Sequence, residues 1–255
     1  MKKLLSILLL LIVLVSVGWT SGSSEQSDKV VIAEQFGLGY APLAIIRDQG
    51  LIQKYYPDAE VEWVQLGSGG AIREAMAAGR VDIGSMGVPP FLIGWGRDFG
   101  WRVISGLCYM PLGMQTYRSE VQTLADVTPD MKIALPSPGS IQHILLAMAA
   151  GKQLGDARAM DDQLVAMAHP DATTALLNRS EIDAHFTSPP YIFQQLKADG
   201  VHQVVDAQED SFGGRFTFLV SVATPEFRER NPELFDAVFA AFAEAITYLN
   251  ENPRE

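Results

Sequence analysis

Gly79-Arg-Val-Asp-Ile-Gly-Ser-Met-Gly-Val-Pro-Pro90 reads as a strand, a loop and the start of a helix in one short stretch. Arg80 to Ser85 is a strand in which apolar Val81 and Ile83 alternate with Arg80 and Asp82. Gly84 and Gly87 are placed to let the backbone turn where a Cβ would interfere. Pro89 and Pro90 suit the first turn of the helix that follows, Phe91 to Trp95, because an N–H there would have no partner. A loop between a strand's carboxyl end and a helix N-terminus is where open α/β sheets hold ligands. Ser85 and Val88 are therefore candidate ligand-binding residues.

The same grammar repeats upstream. Val30 to Phe36 is an apolar strand, and Gly37-Leu-Gly-Tyr-Ala-Pro42 is a loop whose proline opens the helix Leu43 to Asp48, ended by Gly50. Ala59 to Val64 is a second strand, and Gly67-Ser-Gly-Gly70 leads into the helix Ala71 to Ala78. Three such units with short joints call for a parallel sheet, since parallel neighbours need a crossover helix. Arg102 to Tyr109 adds a fourth strand. The glycine-rich loop lacks the Gly-Lys-Ser/Thr ending of a nucleotide-binding loop and the full dinucleotide spacing. It is either a tight turn or a cradle of backbone N–H groups for a small anion. Gly69 is the candidate here. In the first loop it is Tyr40, preferred over Phe36 because it sits between Gly39 and Ala41, where core packing is thin.

Downstream, Met110 to Arg118 is an extended crossover to a second set of units. Thr123 to Val127 is a helical turn, Lys132 to Leu135 a strand, and Pro136-Ser-Pro-Gly-Ser140 precedes the helix Ile141 to Lys152. Ser137 or Ser140 is a ready N-cap, and the helix's positive end suits a carboxylate, a sulfonate or the edge of a polar ring. Gln163 to Met167 and Ile182 to Phe186 are further strands; His169-Pro-Asp-Ala172 opens the helix Ala172 to Asn178 between them, and Thr187-Ser-Pro-Pro190 closes the second. Asp183 within a strand, then Ser188 before two prolines, copies the layout of Asp82 and Ser85 to Pro90. The repetition predicts two lobes on one plan, each offering strand-top loops to a shared cleft, with Thr187 and Ser188 as second-lobe candidates. After the strand Val201 to Val205, Phe212 to Val222 is expected to be one long strand returning to the first lobe. Thr224-Pro and Asn231-Pro cap two helices, the second, Glu233 to Asn250, being the longest and amphipathic.

The composition, 48% hydrophobic and 19% charged over 255 residues, allows one long α/β domain or two smaller lobes. A net charge of -11 makes nucleic acid and anionic membrane surfaces poor partners. Cys108 is the sole cysteine, which excludes an internal disulfide and a multi-cysteine metal site; it is read as a small apolar residue in the fourth strand. His143 has nothing near it to complete a metal site.

Lys2 and Lys3, the apolar run Leu4 to Val17 and the small and polar residues from Gly18 to Ser24 read as a secretory signal peptide. The run is shorter than the ~20 apolar residues of a spanning helix. An uncleaved membrane anchor is the alternative, because Trp19 blurs the cleavage region.

Taken together, Phe36-Gly-Leu-Gly-Tyr-Ala-Pro42, the Gly79 to Pro90 unit, Pro136-Ser-Pro-Gly-Ser140 and Asp183-Ala-His-Phe-Thr-Ser-Pro-Pro190 resemble the nitrate/sulfonate/taurine branch of ABC-transporter substrate-binding proteins, from about Lys29 to the end. The thiamine-pyrimidine-synthase-like proteins share that fold. The resemblance implies an α/β, two-lobed periplasmic-binding-protein type II fold, each lobe a mostly parallel sheet flanked by helices, with two crossovers as hinge. Residues 1–22 would be the signal peptide, 23–110 plus 221–255 the first lobe and 111–220 the second. It further implies a monomeric, extracytoplasmic solute receptor that delivers a small molecule to an ABC permease in the membrane, with no catalytic residue, metal or cofactor. The ligand is expected between Tyr40, Gly69, Ser85 and Val88 of one lobe and Ser137, Ser140, Thr187 and Ser188 of the other. Family chains commonly continue with further helices, so part of the first lobe is expected beyond residue 255.

Anion binders of the family often bring a basic residue to the ligand, and the loops here hold none; Arg73 is inside a helix and Arg215 lies in a crossover. Sulfonate, taurine and nitrate therefore stand beside a pyrimidine thiamine precursor or another heteroaromatic as expected ligands. A secreted enzyme of the same fold, with His143 or His185 as base, is the competing class. No Ser-His-Asp or Cys-His arrangement at recognisable spacing supports it. A sensor lobe would need an output domain, and none is legible here.

Overall fold

Two five-stranded sheets repeat one strand order. The computed structural model describes residues 27–252, so the signal-peptide segment lies outside the described residues. In the first sheet β2 (Glu60–Gln65), β1 (Lys29–Glu34), β3 (Ile83–Gly87), β10 (Leu219–Ala223) and β4 (Arg102–Cys108) lie side by side. The second runs β7 (Leu164–Ala166), β6 (Ile133–Leu135), β8 (Ala184–Thr187), β5 (Gly113–Thr116) and β9 (His202–Asp206). In each, four strands point one way and one is reversed. The reversed strands are β10, antiparallel to β3 and β4, and β5, antiparallel to β8 and β9. Each is the first strand the chain forms after leaving the other sheet, so each crossover enters its new sheet against the grain.

Helices follow the same plan in both halves. In the first, α1 (Ala41–Asp48) follows β1, α2 (Leu51–Tyr55) follows it directly, α3 (Gly69–Ala77) follows β2 and α4 (Val88–Trp95) follows β3. In the second, α5 (Ile141–Leu154), α6 (His169–Leu177) and α7 (Tyr191–Leu196) follow β6, β7 and β8. Two helices close the described chain, α8 (Pro225–Arg230) and α9 (Pro232–Glu251). Asn231 Oδ1 accepts from Leu234 N at 2.9 Å and caps α9. The helix buries Leu234, Val238, Ala241, Phe242 and Ala245, a stripe at helical spacing laid against α1 and α2. Burying each large side chain of that stripe contributes about 1.5–3 kcal/mol. Among the described residues no helix is long and apolar enough to cross a membrane.

Three expectations from the sequence are corrected. The strand expected over Arg80 to Ser85 begins at Ile83. Gly79 takes a left-handed φ of 67° and Arg80 N bonds back to Ala75 O at 2.9 Å, so the end of α3 holds the chain away from the sheet until Asp82. Gly84 then lies inside β3 and turns nothing. A Cβ there would stand 2.4 Å from Met76 Sδ and 2.6 Å from Ile72 Cγ2, so its role is to let α3 rest directly on the sheet. Third, Phe212 to Val222 is not one strand. Ala207–Phe212 is a π-helical turn ended by Gly213 at φ 79°, Gly214 follows at φ 155°, and only Leu219–Ala223 pairs. Two consecutive positive φ values are incompatible with a strand.

Interlobe cleft as candidate functional site

The loops above the two sheets face each other and meet. Leu38 N donates to Pro189 O across the gap at 3.0 Å. Gly37, at φ 130°, brings its backbone so close that a Cβ would lie 3.2 Å from the same carbonyl oxygen. A Cβ on Gly87 would stand 3.1 Å from Ile141 Cβ, so the bare backbone of Gly87 in β3 receives the Ile141 side chain from the first turn of α5. Between these contacts lies a partly open cavity of about 10 Å³, roughly the space of one water molecule. Gln35, Phe36, Tyr40, Gly69, Gly87 and Pro90 line it from one lobe and Ser140, Ile141, Gln142 and His169 from the other, with Phe218 and Leu219 at the crossover.

Tyr40 is 6% exposed, and its hydroxyl oxygen accepts from Gln35 Nε2 at 2.6 Å. Burial pushes its pKa well above the usual value, so the phenol keeps its proton. Gly69 is the first residue of α3, where Ser68 caps the helix by accepting from Ala71 N at 3.1 Å. A Cβ on Gly69 would lie 2.8 Å from Pro90 Cγ, so the glycine is needed for α3 to approach α4. Ser140 caps α5, its Oγ accepting from His143 N at 3.3 Å. The structure thus gathers Tyr40, Gly69 and Ser140 around one cavity.

The other expected residues sit elsewhere. Ser85 is fully buried inside β3, its hydroxyl 2.6 Å from Ser221 Oγ in β10, because β3 starts later than its alternation suggests. Met86 beside it is core. Val88 borders a separate apolar groove with Leu92, Ile141 and Phe216. Ser137 Oγ is buried, has no hydrogen-bond partner among the described residues, and faces Gly70 of the other lobe. Thr187 Oγ1 lies 3.1 Å from His169 Nδ1, behind the cavity wall. Ser188 is 2% exposed beneath the Gly37 turn.

Three polar residues of the cavity lining were not foreseen in the sequence: Gln35, Gln142 and His169. The signal for His169 was available, since it begins the helix after β7 as Gly69 begins the helix after β2. His169 is buried, stacks on Tyr191 at 5.5 Å, and is held by burial at a pKa of about 4. His185 is deeper, pushed well below the usual histidine value by burial and by His169. A base needs access to a substrate proton, and His185 is 0% exposed within β8. His143 is spent on structure: its Nδ1 accepts from Gly139 N at 2.9 Å and its Nε2 lies 3.2 Å from Asp161. Cys108 is partly buried, and burial pushes its thiol up to about 12, so it stays protonated and unreactive. No group of three or more His, Cys, Asp or Glu side chains able to hold a metal occurs among the described residues.

Two lobes of one strand order, joined by two crossovers and meeting over a cavity lined from both sides, define the periplasmic-binding-protein fold. The chain belongs to the NMT1-like family, which it matches over residues 24–255. It is 26% identical over 225 residues to a putative aliphatic sulfonates-binding protein of Escherichia coli (strain K12), covering 85% of this chain and 66% of that one. The chain therefore spans about two thirds of that relative's length. Among solved structures it is similar to the periplasmic aliphatic sulphonate binding protein SsuA from Escherichia coli, with a TM-score of 0.63 and 23% identity over 89% of this chain and 75% of that one. It is also similar to the periplasmic nitrate-binding protein NrtA from Synechocystis PCC 6803, with a TM-score of 0.67 and 18% identity over 86% and 61%.

Proposed function

We propose that this chain is the solute-binding component of an ABC import system. It captures a small solute between its lobes and delivers it to a membrane permease. The observation that carries the reading is the cavity itself, lined by strand-top loops and helix starts from both lobes, where only the joined lobes can surround a ligand. Family membership and the named relatives, all binding proteins, support it. On this reading residues 1–22 export the chain beyond the cytoplasm, and residues 23–110 with 221–255 close against 111–220 about the crossovers. The protein works as a monomer without catalysis, metal or cofactor.

The solute class that the lining supports best is a small sulfonate, taurine or nitrate. Tyr40, Ser140 and Gln142 offer hydrogen-bond donors to an anionic oxygen. Titration calorimetry of the purified protein against ethanesulfonate, taurine, nitrate and an aminopyrimidine tests this. Binding of one of the first three, lost on Tyr40→Phe combined with Ser140→Ala, is the expected result. Binding of the aminopyrimidine alone would overturn the solute class, and affinity unchanged in the double variant would move the site out of the cleft.

A further inference from the structure

A chain of enclosed side chains runs from the interior of the second lobe to the cavity wall. Gln195 Nε2 lies 3.0 Å from Thr173 Oγ1 and 2.6 Å from His185 Nδ1. His185 Nε2 lies 2.9 Å from His169 Nδ1, and His169 Nε2 lies 3.2 Å from Nε2 of Gln142, whose side chain borders the cavity. Gln195 and His185 are 0% exposed, Gln142 3% and His169 6%. Among the described residues no Lys, Arg, Asp or Glu side chain hydrogen-bonds to any of the four, and none lines the cavity.

A neutral imidazole has one N–H and one lone pair, so each ring passes the direction of its hydrogen bond on to the next group. Burial keeps both rings neutral at neutral pH. Two neutral rings in series between two amides leave two arrangements. In one, Gln195 donates to His185, both rings carry their proton on Nε2, and His169 donates to Gln142. The Gln142 amide, whose Nε2 faces His169, must then turn over, bringing its carbonyl oxygen to His169 and its NH₂ to the cavity. In the other, every bond reverses, Gln142 keeps its amide as it lies, and Gln195 turns over to accept through its oxygen, its NH₂ taking the place where Gln195 Oε1 has no partner among the described residues. That strands two buried N–H donors, whereas the first arrangement strands one carbonyl oxygen. Orphaned N–H groups are the rarer of the two in folded proteins.

We propose that Gln195, His185 and His169 form a directional relay that turns the Gln142 amide hydrogens into the cleft, so that the cavity grips an anionic oxygen through uncharged donors. Gln142 touches the solute; His169, His185 and Gln195 are positioning residues. The inference rests on the cleft being the solute site. It explains how a cavity without Lys or Arg can favour an anion: the field comes from oriented N–H and O–H dipoles whose direction is set in the lobe interior. Ser140 contributes in the same sense, since its Oγ accepts from His143 N and leaves its own hydrogen free to donate.

Long-range ¹H–¹⁵N NMR on the full protein labelled at histidine reads the tautomers without any ligand. Both His169 and His185 protonated on Nε2 is the expected result; protonation on Nδ1 in either ring overturns the relay. The second measurement compares ethanesulfonate and nitrate affinity in the wild type and in Gln195→Met, a variant of similar volume remote from the cavity, with circular dichroism confirming the fold. We expect about a tenfold loss of affinity together with a mixed His185 tautomer. Unchanged affinity in a folded Gln195→Met protein overturns the selective role. If that variant fails to fold, Gln142→Leu, on the cavity wall, takes its place with the same expected loss and the same overturning result. A wild type that binds a neutral or cationic solute in the cleft and neither anion overturns the relay's selectivity while leaving the solute-binding reading intact.

Discussion

Asp82 and Asp183 occupy the same position in the two lobes. Each immediately precedes its strand, and each accepts through Oδ2 the backbone N–H of the residue just before pairing with the neighbouring parallel strand begins, Val31 for Asp82 and Lys132 for Asp183, both at 2.9 Å. Each also pairs with an arginine, Arg230 and Arg118 respectively. The carboxylate thus stands in for a ladder bond where the strands have not yet joined. Asp82→Ala and Asp183→Ala are each expected to destabilise the fold by about 1–3 kcal/mol through the stranded N–H, with loss of the ion pairs, whose carboxylates are only 16% and 13% exposed, acting in the same direction. Urea unfolding of the two variants checks this, and an unshifted midpoint in either would contradict the equivalence.

Gly69→Ala should lower thermal stability even without a ligand, because the new methyl would sit 2.8 Å from Pro90 Cγ and force α3 away from α4. A loss of 1–3 kcal/mol, about the usual cost of overpacking, is expected. Differential scanning calorimetry decides it; a wild-type melting temperature would show that Pro90 yields freely.

Ser140→Ala removes the N-cap of α5 and one wall of the cavity together. About 1 kcal/mol of stability and about 1 kcal/mol of solute binding should be lost. Ser140→Asp restores a cap and places a negative charge in the cleft, so it should recover stability and abolish anion binding. Recovery of both in the aspartate variant would place the solute away from α5.

Acid should weaken the fold through the buried histidines. His169 titrates near 4 in the folded chain against an ordinary 6.5, so between those values the unfolded chain binds more protons. Stability is full above about pH 6.5 and falls as the pH drops toward 4, by roughly 3 kcal/mol for this group alone. His185 acts in the same direction. The titratable groups against His169 are His185 and Tyr191, so no buried carboxylate offsets the effect. In His169→Gln the slope of unfolding free energy against pH over that window should be shallower than in the wild type. Parallel slopes would mean that His169 is not buried neutral.

Solute should compact the protein if the crossovers are hinges. Small-angle scattering of the full chain with and without a calorimetrically verified solute is expected to give a smaller radius of gyration in the complex. Identical curves would argue for a cleft that stays closed.

The order of strands and helices was legible in the chain because its punctuation acts locally. Pro42, Pro89, Pro170, Pro225 and Pro232 all fall in first helical turns, and Gly50 and Gly155 adopt left-handed φ values where helices end. The repeated strand, serine and double proline revealed two lobes on one plan, and the loops at Tyr40, Gly69 and Ser140 could be named because strand tops in α/β sheets converge. What sequence could not decide were matters of distance between remote segments. Ser85 reads as a loop serine until β10 arrives from the far end of the chain and engages its hydroxyl. His169 and Gln142 look like ordinary helix residues until burial strips His169 of its charge and joins it to His185. The direction of that hydrogen-bonded chain depends on Gln195 finding two acceptors at once, which only packing α7 against α6 and β8 provides, because a buried amide's orientation follows its surroundings and leaves no trace in its neighbours along the chain.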